Sequence, residues 1–234
     1  LLSRSPETKN ESQDDFRLTF RKVYDYAVES PLDELTFILD AARLNKKASE
    51  AAEQNDYGHS VSKSLHSGRG KFIFGDNVHS RMVAATAGAC DVRMDGALIP
   101  VMSNSGSGNQ GITATMPVLT YAETEGCTQE ELIRALTLSS LTVIYIKQHL
   151  GRLSALCGCV VASSGSSCGI TYLMGGNYEQ ITYAAKNMIA NITGMICDGA
   201  KPSCALKVAS GISTATLSAL MAIENKVVSS QEGI

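Results

Sequence analysis

The 234-residue chain contains no tryptophan, and only 6% of its residues are aromatic and 18% charged. A core built from it must close over small side chains. Lysine and arginine form no basic run and the formal net charge is −3, so there is no electrostatic footprint for nucleic acid or for an anionic membrane. The longest apolar stretches, residues 132–146 and 208–223, fall short of the ~20 residues a bilayer core requires. No basic segment leads into an apolar one near the start, so no export signal is expected and the cytoplasm is the expected compartment. Alternating strand patterns with turn dipeptides are absent, as is any repeat. The sequence also lacks a Cys-x-x-Cys pair, a ferredoxin-type cysteine run and Cys/His pairs at zinc-finger spacing.

Against these absences stand 20 glycines, 44% hydrophobic residues and seven cysteines. An odd cysteine count without a secretory signal argues against a disulfide scaffold. Helical periodicity is the dominant signal. Phe16, Phe20, Val23, Tyr24 and Ala27 mark a helix over 14–29, behind a capping box of Ser12 and Asp15. Ser30-Pro31 opens a second helix, carried by Leu32, Leu35, Leu39 and Ala42 to about Glu53. Residues 56–75, rich in Gly, Ser and His, read as a connection, and a further helix is expected from Asn77 to about Ala87. Residues 88–111 hold five glycines and read as a loop, and Pro117 would bend any helix over 112–122.

Thr128 and Glu131 form a capping box for a helix that Gly151 ends. Segments 153–163, 166–174 and 178–193, dense in Ala, Ser, Gly and Cys, suggest three closely packed helices. A last helix over 203–225, uncharged between Lys207 and Glu224, is expected to be central and mostly buried. The fold class is mainly α, a compact bundle of small-residue, closely packed helices. Such surfaces also suit self-association as a homodimer. Residues 1–13 read as a disordered or linker start and 14–234 as one domain; a chain that opens on leucine is expected to be a fragment of a longer protein.

Five of the seven cysteines fall between Cys157 and Cys204. Cys197 and Cys204 are separated by Asp198-Gly199-Ala200-Lys201-Pro202-Ser203, which sets a glycine turn, a helix N-terminus and a lysine beside two thiols. Each of these favours thiolate, the form that binds metal or attacks. The competing reading is two packed core cysteines. Residues 103–111 combine glycines with polar side chains ahead of a helix, a pattern suited to an anion, with an ordinary Gly/Ser loop as the plainer reading; no Gly-Lys-Ser/Thr follows, which argues against a phosphate loop.

Three passages, Met102-Ser103-Asn104-Ser105-Gly106-Ser107-Gly108-Asn109-Gln110-Gly111, Gly175-Gly176-Asn177-Tyr178-Glu179-Gln180 and Gly194-Met195-Ile196-Cys197-Asp198-Gly199-Ala200-Lys201, resemble the L-cysteine desulfidase family, which is related to the alpha-chain domain of iron–sulfur L-serine dehydratases. The resemblance spans most of the chain and matches the family's C-terminal, catalytic half. It implies a [4Fe–4S] cluster on three cysteines, no pyridoxal phosphate, and α,β-elimination of L-cysteine to pyruvate, ammonia and sulfide. By that resemblance Cys197 and Cys204 are two ligands and Cys159 the preferred third, with Cys157 and Cys168 as alternatives; Cys90 and Cys127 lie outside the ligand positions.

Ser103, Asn104, Ser105, Gly106, Ser107, Asn109 and Gln110 would then receive the carboxylate of a small amino-acid substrate. In the family a cysteine of the N-terminal half is a candidate for proton transfer, which makes that half an expected partner. Within this chain His79, Lys201 and Lys207 are the catalytic candidates for the base, each with a plainer reading as a capping, surface or helix-terminus residue. Two further readings remain: an L-serine dehydratase, and a non-catalytic helical domain whose cysteines only pack.

Overall fold

The computed structural model describes residues 17–151 and 154–232. Among them lie eleven helices: α1 (Phe20–Glu29), α2 (Leu32–Leu35), α3 (Ile38–Gln54), α4 (Val61–His66), α5 (Gly68–Phe74), α6 (Val78–Met94), α7 (Gly108–Glu125), α8 (Gln129–Leu150), α9 (Gly158–Leu173), α10 (Tyr178–Ile192) and α11 (Cys204–Ile223). No strand forms among the described residues; only two isolated bridges occur, Asn104 with Ser107 and Leu156 with Ile196. The class is mainly α, as the periodicity indicates.

Local chemistry sets most helix starts. Thr128 accepts from the Glu131 amide and Glu131 returns a bond to the Thr128 amide, the reciprocal box that satisfies two otherwise unpaired donors. Asn77 with Ser80 and Asn177 with Gln180 do the same for α6 and α10. α1 is capped by Thr19; the Ser12–Asp15 box lies outside the described residues, as does the 1–13 linker.

Several boundaries differ from the sequence reading, each for a tertiary reason. The helix expected over 30–53 divides into α2 and α3. The connection expected at 56–75 holds α4 and α5, because Asp91, buried on α6, accepts the amides of His59 (3.0 Å) and Val61 (2.9 Å) and so caps α4 from another element. α6 continues past Ala87 to Met94, with Gly88 giving room to Ala52 and Ser62. The loop expected over 88–111 shrinks accordingly, and α7 starts at Gly108 and runs through Pro117.

The segments 153–163 and 166–174 also merge, into the single helix α9. Gly165 is a packing notch, since a Cβ there would stand 2.4 Å from the Ser139 carbonyl oxygen of α8. α9 packs on α7, α8, α10 and α11 and is buried without interruption from Cys159 to Thr171, so it is the central helix. α11, expected in that role, packs on α6, α9 and α10 but turns Leu206, Leu217 and Leu220 outward. It is 20 residues long, within the 203–225 expected, and among the described residues it alone is long and apolar enough to cross a membrane.

Several hydroxyls inside this tightly packed centre pair with backbone carbonyls, while Thr113 and Thr142 Oγ1 have no partner among the described residues. Ser167 Oγ donates to the Ala215 carbonyl of α11 (2.9 Å) and Ser139 Oγ to the Ala114 carbonyl of α7 (2.7 Å). Bonds of this kind let small polar residues stand where leucine would not fit. Replacing Gly165 with Ala is expected to lower stability by about 1–3 kcal/mol through overpacking, measured as a lower urea midpoint at unchanged slope.

Candidate functional site

Three helices begin at one cleft of about 340 Å³. α7 brings Ser107, Asn109 and Gln110, α9 brings Cys157, Gly158 and Cys159, and α11 brings Cys204 and Lys207; Cys197, Gly199 and Ala200 arrive on the loop before α11. Helix N-termini carry unpaired amides and partial positive charge, so the convergence favours anions and thiolates. Arg93, Lys147 and Lys207 also line the cleft, and no carboxylate does among the described residues.

The loop carrying Cys197 is fixed by a short antiparallel pairing. The Cys157 amide donates to the Met195 carbonyl (3.0 Å) and the Cys197 amide to the Ala155 carbonyl (2.8 Å), around the bridge from Leu156 to Ile196. This register sets Cys157 opposite Met195 and Cys197 opposite Ala155, so the two cysteines stand diagonally across the bridge although 40 residues apart in the chain. Gly199, at φ +97°, takes a left-handed turn that a side chain would resist. Cys204 then follows at the first position of α11, where its Sγ accepts the Lys201 amide (3.4 Å).

The Cys159 thiol lies within hydrogen-bonding reach of both Cys157 and Cys204. Its one proton, given to one or the other, lowers each toward about 6, helped by backbone amides and by the Lys207 ammonium. Cys159 itself is pushed far upward, first by these two neighbours and then by burial, so it keeps its proton. Cys90, buried behind the group on α6, is also pushed up, chiefly by burial. Cys197 is the exposed member.

Ultraviolet thiolate absorbance is expected to rise with a midpoint about pH 6, below the ordinary 9.0. Because the folded values lie below the unfolded one, these thiols stabilise the fold above pH 9, and that contribution fades as pH falls through about 6. Lys207→Gln is expected to move the spectroscopic midpoint upward.

The structure sorts the expected residues into three groups. Cys159, Cys197, Cys204, Lys207, Gly106, Ser107, Asn109 and Gln110 come together at the cleft. Ser103, Asn104 and Ser105 do not: they line a different cleft with Tyr26, Phe37 and Ile144. The division arises at a tight turn, in which Ser105 (φ +49°) and Gly106 (φ +80°) are both left-handed and Asn104 and Ser107 exchange backbone hydrogen bonds. Asn104 Nδ2 donates to the Ser140 carbonyl (3.1 Å), which holds that arm against α8.

His79 lies apart as well. It faces a separate cleft between α6 and α11, where Nε2 meets Ser213 Oγ at 3.2 Å and burial lowers its pKa. Lys201 does not line the thiol cleft; its ammonium pairs with Asp198 (2.8 Å). Lys207 is held by Asp198 (2.5 Å) and the Ile196 carbonyl (3.1 Å), and the hydrogen bond from Asp198 raises its pKa, so it is a fixed cation. Cys168 is fully buried, against the Ile181 carbonyl (3.7 Å) and away from the cleft, with its thiol pushed up to about 12 by burial. Sequence reasoning missed Arg93 and Lys147, since nothing local marks a cation as facing residues far along the chain.

Among the described residues, no three His, Cys, Asp or Glu side chains surround one point as ligands of a single ion would. The thiols instead spread around a cleft, with Cys157 and Cys204 on either side of Cys159 and Cys197 at the rim. Thiolate donors are the ligands iron–sulfur clusters take, and these four thiols line one cleft.

The chain matches the family described as Serine dehydratase alpha chain over residues 7–234. It is 65% identical over 236 residues to a UPF0597 protein of Bacteroides thetaiotaomicron, covering 100% of this chain and 55% of that one. To a UPF0597 protein of Parabacteroides distasonis it is 66% identical over 220 residues, covering 94% and 51%. A UPF0597 protein of Shewanella halifaxensis is 49% identical over 212 residues, covering 91% and 48%. The chain thus spans about half the length of these relatives, and it belongs to the serine dehydratase alpha chain family.

Proposed function

We propose that this chain is the cluster-bearing half of a cytoplasmic iron–sulfur lyase that eliminates sulfide from L-cysteine, and that Cys157, Cys197 and Cys204 hold a [4Fe–4S] cluster. The observation that carries the reading is the convergence of these cysteines on a cationic cleft at three helix N-termini. Cys157 takes the place expected of Cys159 for two reasons. The short backbone ladder joins the Cys157 segment to the Cys197 loop, and Cys159 is the buried thiol that keeps its proton. The L-serine dehydratase reading stands beside it, favoured by the family match.

When bound, the cluster would supply a Lewis-acidic iron for the departing sulfur or oxygen. The chain's own residues do the rest. In the reaction the Cα–H proton leaves, the Cβ–S bond breaks with its electron pair on sulfur, and the resulting enamine becomes an imine that water hydrolyses to pyruvate and ammonia. Lys207, held charged by Asp198, stabilises anionic sulfur at the cleft. Asn109 and Gln110, both buried, present fixed polar groups to a substrate. Lys207 is held as a fixed cation and His79 and Lys201 lie outside this cleft, so we assign the proton acceptor to the half that the longer relatives carry beyond this match.

The test is anaerobic reconstitution with iron and sulfide, followed by L-cysteine or L-serine and assay of pyruvate, alone and with a relative of full length for comparison. Pyruvate with sulfide from L-cysteine supports the reading. Pyruvate from L-serine alone moves it to the dehydratase. Loaded protein that turns over neither, at either length, overturns it.

A further inference from the structure

Arg93 is a half-buried cation without an ion pair among the described residues. It stands near the end of α6 and reaches across to the start of α7, where its Nη1 donates to Asn109 Oδ1 at 3.0 Å. Asn109 is itself buried, and its Nδ2 meets Met94 Sδ at 3.1 Å, so the partner that aims the guanidinium is fixed in turn. The arginine side chain passes close over Gly108: a Cβ there would come within 2.3 Å of Arg93 Nε. Only glycine admits that contact. Asp91 and Asp95 are two residues away on either side, a helical offset that does not face Arg93.

A half-buried arginine whose Nη1 is spent on Asn109 and Met94 Sδ, and whose remaining N–H groups are free of any acid in the cleft, is an incomplete arrangement. Its planar fork matches a carboxylate bidentately. The same cleft holds a second unmet group. Gln110 is 7% exposed, and its Oε1 has no hydrogen-bond partner. A buried acceptor left unpaired is unfavourable unless a ligand supplies the donor.

The two other cations serve less well as the carboxylate anchor. Lys207 is already engaged by Asp198 and the Ile196 carbonyl. Lys147 stands in the last turn of α8, where no second residue fixes its ammonium.

We infer that Arg93 and Gln110 recognise the zwitterion of an α-amino acid, Arg93 binding the carboxylate and the Gln110 amide oxygen accepting from the ammonium. This deepens the lyase reading and rests on it for the reaction, but the recognition itself does not need a cluster.

The experiment is phenylglyoxal modification of the chain, with the rate at Arg93 followed by peptide mass spectrometry. L-Serine is expected to slow modification of Arg93 about tenfold at ten times its half-protecting concentration. Ethanolamine, the same molecule without its carboxylate, should not protect, and the exposed Arg43 should react at one rate throughout. Modification of Arg93 at an unchanged rate in L-serine overturns the inference.

A second arm uses Arg93→Gln in the iron-loaded protein. KM for L-cysteine is expected to rise on the order of 10- to 100-fold, from loss of charged hydrogen bonds, with iron content unchanged. An unchanged KM at full iron content also overturns it. Protection of Arg93 in a protein that binds no iron would sink the lyase reading and leave this one standing.

Discussion

Substituting Cys204 with Ala is expected to abolish iron–sulfur absorbance after anaerobic reconstitution and to lower sulfide release by about a thousandfold or more, the equivalent of several kcal/mol of Lewis-acid stabilisation. The fold should survive, because Cys204 is a small residue at the first position of α11 and its removal opens only a minor cavity. Cys90→Ala supplies the contrast. That thiol is buried behind the cleft and holds its proton, so the cluster should load normally while thermal stability falls slightly. The measurement is absorbance in the iron–sulfur charge-transfer region, with circular dichroism to confirm that both variants are folded. Full absorbance in Cys204→Ala would remove α11 from the ligand set.

Gly111→Ala is expected to have the largest effect on folding. A Cβ at position 111 would stand 1.9 Å from the Met102 carbonyl oxygen and 3.0 Å from the Ser103 carbonyl carbon, both of them backbone atoms. The loop cannot retreat without losing its anchors. The Met102 amide donates to Asn45 Oδ1 of α3 (2.9 Å), and Asn45 Nδ2 in turn donates to Thr115 Oγ1 of α7 (2.8 Å). One methyl group therefore sets α7 against a loop fixed to α3 and α8. A loss of about 3 kcal/mol or more is expected, the range of severe core and backbone disruptions. For a domain of this size that lowers the melting temperature by about 6–12 °C. Because α7 also presents Asn109 and Gln110 to the thiol cleft, the folded fraction should bind L-serine more weakly. A melting temperature within two degrees of the parent, by about the width of a surface substitution, would show that the 102–107 loop is free to move.

How far the sequence speaks depends on whether a feature is settled by neighbours along the chain or by neighbours in space. The capping box at Thr128 and Glu131, the start at Asn77 and the stop at Gly151 are local arrangements, and they appear where periodicity and cap chemistry place them. α4 is not local. Its first amides are paired by Asp91, some thirty residues on, so a Gly-, Ser- and His-rich stretch that reads as a connection folds as helix. Gly165 misled in the opposite sense, since the same residue that breaks helices also lets two of them touch.

The site divides in the same way. Cys197 and Cys204 lie close enough in sequence for their convergence to be legible. Cys157 joins them through a two-residue ladder too short to leave a strand pattern. Ser103, Asn104 and Ser105 look equivalent to Ser107, Asn109 and Gln110 in the sequence, yet a left-handed pair at Ser105 and Gly106 turns the two arms to different clefts. His79 stood out as a rare residue type, but rarity does not say which cavity a side chain faces. Arg93 gave no signal because its meaning rests on Asn109 and on the bare backbone at Gly108.

The most direct test of the central claim is chemical analysis of iron and acid-labile sulfide per chain after anaerobic reconstitution and desalting, on this chain and on the full-length Bacteroides thetaiotaomicron relative. A [4Fe–4S] site predicts about four of each per chain, retained in Cys159→Ala to a greater degree than in Cys157→Ala. Iron and sulfide near zero in both proteins would contradict it and leave the thiol cleft as a cationic pocket with no cluster to hold.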